Sequence, residues 1–481
     1  MGEDKKEEAA SEEPKAEKSA AGDAETKLVG DSEEKAQADE GNLVGDSEEK
    51  AAKESKAAKE SRTFTRRNLV TGIAAGVVGG AIAGSGITFG IQNAGEYDSS
   101  PSGRAYDRVD LTRSVPYYDQ DHPCGIATMQ QRYCTFAMFN MNAGTTRQDL
   151  QLLLARWTAA ISIMQEGKPL GDIRPSFSGS SVPKDVGECF EIPPSSLTVT
   201  VGFGEKLFDD RFGISSFKPE KLVEFPRITN ERLDPAQQGS DLGVQICADD
   251  SQVIFHALRT LAKIGRNKAT ISFMENGFQP TRQSTQQTTP RDLFGFRDGS
   301  TNPVEDKEFD SFIWVSGGDQ EWLEGGSYMV YRRSAIIMAP WENMRISEQE
   351  RLIGRRKDTG APLSNPDGDE FTLPDLTAKD DNGNYLIDPN SHVAVTSDQR
   401  HGFKILRRAF NYWEGLTDHG DQNCGFLNMS FVNDPYNYWK LRDDMGKYDI
   451  LNEYYYDDRS GLYAVPQSPA TGHYIGQEFF E

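Results

Sequence analysis

Residues 242–278 read LGVQICADDSQVIFHALRTLAKIGRNKATISFMENGF, and their pattern sets the fold class. VQICA is a short apolar run of strand character. Asp249-Asp250-Ser251 offer N-cap side chains to a helix on which Val253, Ile254, Ala257, Leu258 and Leu261 recur at helical spacing. ATISFMENGF then returns to strand composition. Upstream, YCTFAMFNM (133–141) reads as a buried strand. Thr145-Thr146 precede RQDLQLLLARWTAAISIMQ (147–165), with Leu150, Leu153, Leu154, Trp157 and Ile161 on one face. LTVTVGF (197–203) is a further strand, closed by Gly202 and Gly204. Strand–helix–strand repeated twice is a ferredoxin-like α+β order. SYMVYRRSAIIM (327–338) starts the pattern again, and ISEQERLIGRR (346–356) is predicted as its helix. The chain therefore reads as a ferredoxin-like half over residues 121–290 and the start of the same pattern again over 291–481.

At 481 residues the chain has room for one very large or two ordinary domains. Its net charge is −23 and its hydrophobic content 36%, and much of that bias is local. Residues 1–61 contain no Phe, Tyr or Trp and carry 19 acids against 10 lysines. LVGDSEEKA occurs at 28–36 and 43–51, and KAAKES at 50–55 and 56–61. Such a tail cannot bury enough apolar surface to offset its ordering entropy, so disorder is expected. The acidic balance argues against nucleic acid as a partner.

Residues 62–94 differ sharply. RTFTRRNLVTGIAAGVVGGAIAGSGITFG (62–90) places Arg66-Arg67 before a charge-free stretch rich in Gly and Ala. This looks like a twin-arginine export signal. The stretch is also long enough for a membrane helix, but its glycines lower helix propensity and favour the export reading. Cleavage near Ala94 would release an extracellular, periplasmic or cell-surface protein; an uncleaved signal would anchor it. The implied partner is a twin-arginine translocase. Residues 95–120 read as a polar linker.

The five cysteines, Cys124, Cys134, Cys189, Cys247 and Cys424, are far apart and form no CxxC. That pattern suits neither a zinc or iron–sulfur site nor covalently attached haem. Cys134 and Cys247 lie in apolar strands and read as inert core residues.

Two stretches carry the candidate chemistry. SHVAVTSDQRHGFKILRRAFNY (391–412) places His392 at the head of the alternating run His392-Val393-Ala394-Val395, which reads as a strand. It ends in Arg407-Arg408. An imidazole can ligate iron, and a fixed cation can face it across a cofactor. His401, nine residues on, is the rival ligand. GFRDGSTNP (295–303) holds Asp298 between Gly295 and Gly299, where backbone can approach a flat ligand closely.

GFRDG resembles the GxxDG motif of the dye-decolourising peroxidases, and His392 followed by Leu406-Arg407-Arg408 fits the same family order. HPCGIATMQQ (122–131) looks like the family's opening strand. LTVTVGFGEKLFD (197–209), SYMVYRRSAIIMAPWENMRISEQERLIGRRKDTGAPL (327–363) and SGLYAVPQSPATGHYIGQEFFE (460–481) extend the likeness over nearly all of the chain past residue 120. The chain looks most similar to the twin-arginine-exported deferrochelatase/peroxidase branch. The resemblance implies a dimeric α+β barrel-like core of two ferredoxin-like domains, with one haem b per chain held mainly by the C-terminal half. It implies His392 as proximal iron ligand and Asp434, after the strand GFLNMSFVND, as the acid on its other nitrogen. It implies Asp298 as the group that takes and returns the peroxide proton, and Arg407 as the cation for developing charge. Gly299, Ser300 and Thr301 would lie against the haem edge. Arg408, Arg400 and Arg332-Arg333 would be candidates for its propionates. Trp314, Trp322, Trp413 and Tyr454-Tyr455-Tyr456 are candidate surface relays for electrons.

The function so implied is reduction of hydrogen peroxide with oxidation of an organic donor, such as a dye or a porphyrin. The alternatives are a deferrochelatase-like protein that releases iron from haem, with iron-uptake components as partners, and a non-catalytic haem carrier. A homo-oligomer is left open.

Overall fold

The computed structural model describes residues 109–172, 182–229, 231–234, 238–280 and 289–481. The acidic tail, the 62–94 segment and the first part of the 95–120 linker lie outside them. Among the described residues, eight strands follow the alternating and apolar runs of the sequence. They are β1 (Tyr133–Met141), β2 (Thr198–Gly204), β3 (Leu242–Ala248), β4 (Ala269–Phe278), β5 (Ser327–Ile336), β6 (Leu406–Leu416), β7 (Gln422–Val432) and β8 (Tyr455–Val465). They close into one antiparallel barrel in the order β1-β3-β2-β8-β5-β7-β6-β4. Each half contributes a fourth-first-third-second array, β4-β1-β3-β2 and β8-β5-β7-β6, which is the ferredoxin-like order. The halves meet at two narrow seams. One is Phe203↔Ala464 with Gly204↔Tyr463, and the other is Phe278↔Asn411.

Because side chains alternate along a strand, each strand serves two cores. From β1, Ala137, Phe139 and Met141 face outward. They pack under α1 (Arg147–Gln165) and α2 (Ser251–Ile264). Cys134, Phe136 and Met138 fill the barrel interior with Tyr331, Tyr412 and Tyr463. Thr146 caps α1 in a reciprocal box with Asp149, and Asp250 caps α2, as the sequence predicts. On the C-terminal half, α3 (Ile346–Ile353), α4 (His392–Thr396) and α5 (Pro435–Tyr448) are the main helices.

Several expectations change. Residues 122–131 form no strand. Gly125 has φ +83, its carbonyl takes the Gln245 amide at 2.8 Å, and the Cys124 carbonyl takes Thr200 Oγ1 at 2.8 Å. Side chains of β2 and β3 thus hold this segment across the barrel, and Ile126 is buried in the interior core. His392 heads a helix rather than a strand: the Ser391 hydroxyl caps it, accepting from the Ala394 amide. The helix predicted over 346–356 stops at Gly354, which adopts φ +91, so Arg355 and Arg356 fall outside it. Residues 109–120, read as part of a polar linker, are mostly exposed but tied to the body of the chain. The Leu111 and Arg113 carbonyls accept from Ser195 and Ser196 at 2.8 Å, and Tyr117 is buried.

One close approach sets the barrel's bore. A Cβ on Gly243 would lie 2.7 Å from three atoms of the Tyr463 ring. The ring cannot retreat freely, because its hydroxyl is 2.9 Å from Ser240 Oγ and Phe136 stands beside it. Gly243→Ala should therefore destabilise the haem-free protein by about 1–3 kcal/mol, read as a lower urea midpoint. An unchanged midpoint would mean that the ring has room to move.

Candidate active site

The cavity lies outside the barrel wall, on the C-terminal half. Strands β5, β6 and β7 turn alternate residues toward it: Arg332 and Ser334, Arg407, then Phe426, Asn428 and Ser430. Its volume is about 390 Å³, within the size range of small-molecule sites. Ile353, Phe403, Ile405, Leu441, Met445 and Leu451 give it an apolar lining.

The GFRDG turn forms one wall. Gly295 and Gly299 adopt φ +87 and +86, where residues with a Cβ are strained. The Asp298 amide donates to Pro290 O at 3.0 Å. Asn302 then fixes the turn to β6. Its Oδ1 accepts from Arg407 N at 3.0 Å, and its Nδ2 donates to Arg407 O at 2.7 Å. With both backbones clamped, the Arg407 guanidinium donates to the Asp298 carboxylate. Gly299, Ser300 and Thr301 line the cavity beside this pair.

His392 lines the same cavity. Its Nδ1 is 2.7 Å from Asp449 Oδ2, and the Asp449 side chain is fully buried. The other Asp449 oxygen accepts from Leu451 N at 2.9 Å. Nδ1 being taken, Nε2 is the nitrogen left for a metal. His401 also lines the cavity, but its Nε2 is 2.8 Å from Val395 O and its Nδ1 faces Asp444 at 3.9 Å.

The acid on His392 is thus Asp449 and not Asp434. Asp434 caps the start of α5, accepting from Tyr436 N at 2.9 Å, and pairs with Lys221 at 2.9 Å. Asp449 follows the last residue of the same helix, so the two carboxylates stand roughly 20 Å apart at 1.5 Å per residue. No local pattern around Asp449 marks it, since its role depends on where α5 ends relative to α4.

The arginine pairs divide. Arg332 faces the cavity, donates to Glu231 and lies 3.9 Å from Asp457. Arg333 faces the opposite side, on Glu275 at 2.8 Å and over the Tyr412 ring. Arg407 faces the cavity, while Arg408 points into the barrel, bonding Ile126 O, Thr128 O and Gln131. Arg400 stands over the Tyr448 ring. Arg333, Arg408 and Arg400 are therefore withdrawn as cavity cations. Arg297, Arg355 and Arg442 line it instead, and sequence reading missed all three. Of the tryptophans proposed as surface relays, Trp314 and Trp322 are buried; Trp413 is 64% exposed. Tyr455 is buried and lines the cavity.

Asp292 is a second carboxyl on this wall that sequence reading missed. Burial and the charge of Asp298 push it up to about 7, against the Phe296 N–H, His392 and Arg407, which pull it down.

Two family models match the chain. One is the N-terminal part of the Dyp-type peroxidases, over residues 123–279, and the other their C-terminal part, over 289–470. A dye-decolorizing peroxidase of Thermobifida fusca is 31% identical over 351 residues, covering 71% of this chain and 78% of its own. A deferrochelatase of Yersinia pestis is 29% identical over 433 residues, covering 88% and 96%. Among solved structures, an oxyferrous/water complex of DtpA from Streptomyces lividans superimposes with TM-score 0.72 at 33% identity, over 77% of this chain and 98% of its own. A DyP-type peroxidase from Cellulomonas bogoriensis gives 0.70 at 30%, over 77% and 99%.

The raised value of Asp292 has a sign. The folded chain holds a proton there that the unfolded chain, with an ordinary carboxyl near 3.8, releases as pH rises from about 4 to 7. Folded stability therefore falls through that window. Asp292→Asn removes this contribution, so the melting temperature of the haem-free variant should fall less than wild type's between pH 4 and 7. Glu275, likewise raised to about 7 by burial and Glu414, keeps its share in both proteins. Parallel wild-type and variant profiles would show that Asp292 does not titrate there.

Proposed function

The chain belongs to the Dyp-type peroxidase family, and from that premise we propose how its own residues divide the work of a haem enzyme that reduces hydrogen peroxide and oxidises organic donors. The observation that carries the assignment is that one cavity is lined by both Asp298 with its partner Arg407 and His392, whose Nδ1 is held by Asp449.

The cavity fits haem by its donor set. His392 offers a single free ring nitrogen. Arg297, Arg332 and Arg442 line the cavity as well, and cations there suit the two propionates. His392 would hold the iron, and Asp449 would keep Nδ1 protonated and the ring oriented. When bound, haem would supply the redox chemistry that reduces peroxide. The remaining work falls to side chains. The Asp298 carboxylate would accept a proton from one peroxide oxygen and deliver it to the other, which leaves as water. The Arg407 guanidinium meets the negative charge that develops as the bond breaks. Asn302, holding both backbone groups of Arg407, keeps that cation in place. A carboxylate in the shuttle role works at pH values where an imidazole, with reference pKa about 6.5, is already protonated.

A second reading is favoured by one finding. Several relatives of 28–31% identity are named deferrochelatase, so release of iron from haem, with iron-uptake components as partners, is the rival role. Recovery of iron-free porphyrin from haem without peroxide would favour it. Export by the twin-arginine route is our inference from Arg66-Arg67 and the charge-free stretch after them, and with it a location outside the cytoplasm.

The ligand assignment predicts that His392→Ala loses most bound haem and its Soret band, while His401→Ala keeps both. Loss in the second variant alone would transfer the role. Arg407→Leu should slow peroxide reduction by about 10²–10³, and Asp298→Asn by less, because water can partly replace a proton carrier but not a fixed charge. Both should bind haem. Stopped-flow rates matching wild type in both variants would leave the pair without a catalytic part. For export, Arg66-Arg67→Lys-Lys should hold the precursor in the cytoplasm; normal export of that variant, followed by immunoblot of cell fractions, would sink the twin-arginine reading.

A further inference from the structure

Cys134 and Cys247 stand directly opposite each other on β1 and β3. Both are free, at most 1% exposed, and turned into the barrel interior. Opposed residues of an antiparallel pair have Cα atoms about 4.5–5.5 Å apart, inside the span of about 4.4–6.8 Å that a disulfide bridges. Their sulfurs can therefore join without a change of register.

The apolar composition of both strands made these cysteines read as inert. Their surroundings differ from that reading. The two thiols are opposed neighbours, and the positive charge of Arg408 reaches Cys247. Arg408 is 3% exposed and its bonded acceptors, two carbonyls and the Gln131 amide, are all neutral. Its Nε has no hydrogen-bond partner. A buried cation so placed lacks a counter-charge, and a thiolate on Cys247 would provide it. Burial raises the Cys134 thiol. Cys247 is drawn down in spite of burial, by the Cys134 S–H and by Arg408. Cys189 is the contrast. It is more accessible, but burial and the charges of Glu188, Asp250 and Asp185 push its thiol up to about 12.

We propose that Cys134 and Cys247 form a modification site, at which hydrogen peroxide closes a disulfide across β1 and β3 after the chain has folded. The Cys247 thiolate attacks one peroxide oxygen; the O–O bond breaks, hydroxide leaves, and Cys247 becomes a sulfenic acid. The Cys134 sulfur then attacks Cys247 Sγ. The S–S bond forms, and the departing hydroxide takes the Cys134 proton as water. The hydroxide released in the first step takes up the proton that Cys247 had lost, giving the second water. The two thiols together give up two electrons, and one peroxide is reduced. The only premise taken from the function is that this protein meets peroxide. The product closes a loop of roughly 110 residues and should stiffen the N-terminal half of the barrel.

The test treats holoenzyme with hydrogen peroxide and no organic donor, then denatures, blocks free thiols with iodoacetamide and maps peptides by mass spectrometry without reduction. A peptide linking Cys134 to Cys247 should grow with peroxide exposure and vanish on dithiothreitol treatment, while Cys189 keeps its thiol. In Cys134→Ser the sulfenic acid on Cys247 should persist and be captured by dimedone. Exposure alone predicts the reverse order. Oxidation of Cys189 while Cys134 and Cys247 remain fully alkylated would overturn the proposal. The readout is thiol state, so loss of peroxidase activity would not be mistaken for its failure.

Discussion

In a closed sheet, neighbouring residues of one strand cannot share a side. The site and the core of this chain both depend on that constraint. Arg332 and Arg333 are consecutive on β5, and Arg407 and Arg408 on β6. The first of each pair reaches the cavity and the second enters the barrel. Each second arginine needs partners inside. Arg333 finds Glu275 and Asp458; Arg408 finds carbonyls of the 122–131 segment and the Gln131 amide. The segment across the barrel is thus tied to β6, the strand that carries the cavity arginine.

Charge on the cavity wall is organised in the same way. Arg332 and Arg442 are nearly buried and share Asp457, whose other oxygen accepts from Ser334 at 2.6 Å. Glu231 completes the set. Removing one member of such a network costs about 3–5 kcal/mol because an uncompensated charge is left behind. A paired network of this kind holds its cations at fixed positions before any ligand arrives. Asp292 is held by the Phe296 amide at 3.0 Å rather than by a cation, and burial beside Asp298 raises it to about 7. A carboxylate that pairs with Arg407 and one raised by burial therefore stand on one wall.

On the same cavity, His392 owes its orientation to two helix ends. Ser391 starts α4, and Asp449 follows the last residue of α5. The Ile450 amide also donates to Asn390 O at 3.1 Å, which locks the two ends together. The imidazole is set by backbone that α5 delivers, so its partner lies 57 residues away along the chain.

Local pattern determined a good deal. Capping residues Thr146 and Asp250, apolar spacing along α1 and α2, and the strand runs of β1, β3, β4 and β5 are properties of short segments, and they specify the ferredoxin-like halves. The GFRDG turn with Asp298, and His392 and Arg407 in order, were also legible, because motif residues are close in sequence or carry unusual chemistry. What tertiary structure decided was closure and pairing. Among the described residues the strands of the two halves pair at only three positions, too few to leave a sequence signal. His392-Val393-Ala394-Val395 alternates like a strand yet is a helix, since the Ser391 cap and contact with α5 outweigh the propensity of four residues. Asp449 carries no local mark, so the strand-end acid Asp434 is the one that sequence pattern reaches. An acid's neighbours in sequence show that it can cap or pair, whereas only the length and direction of the helix between them show which end meets the histidine.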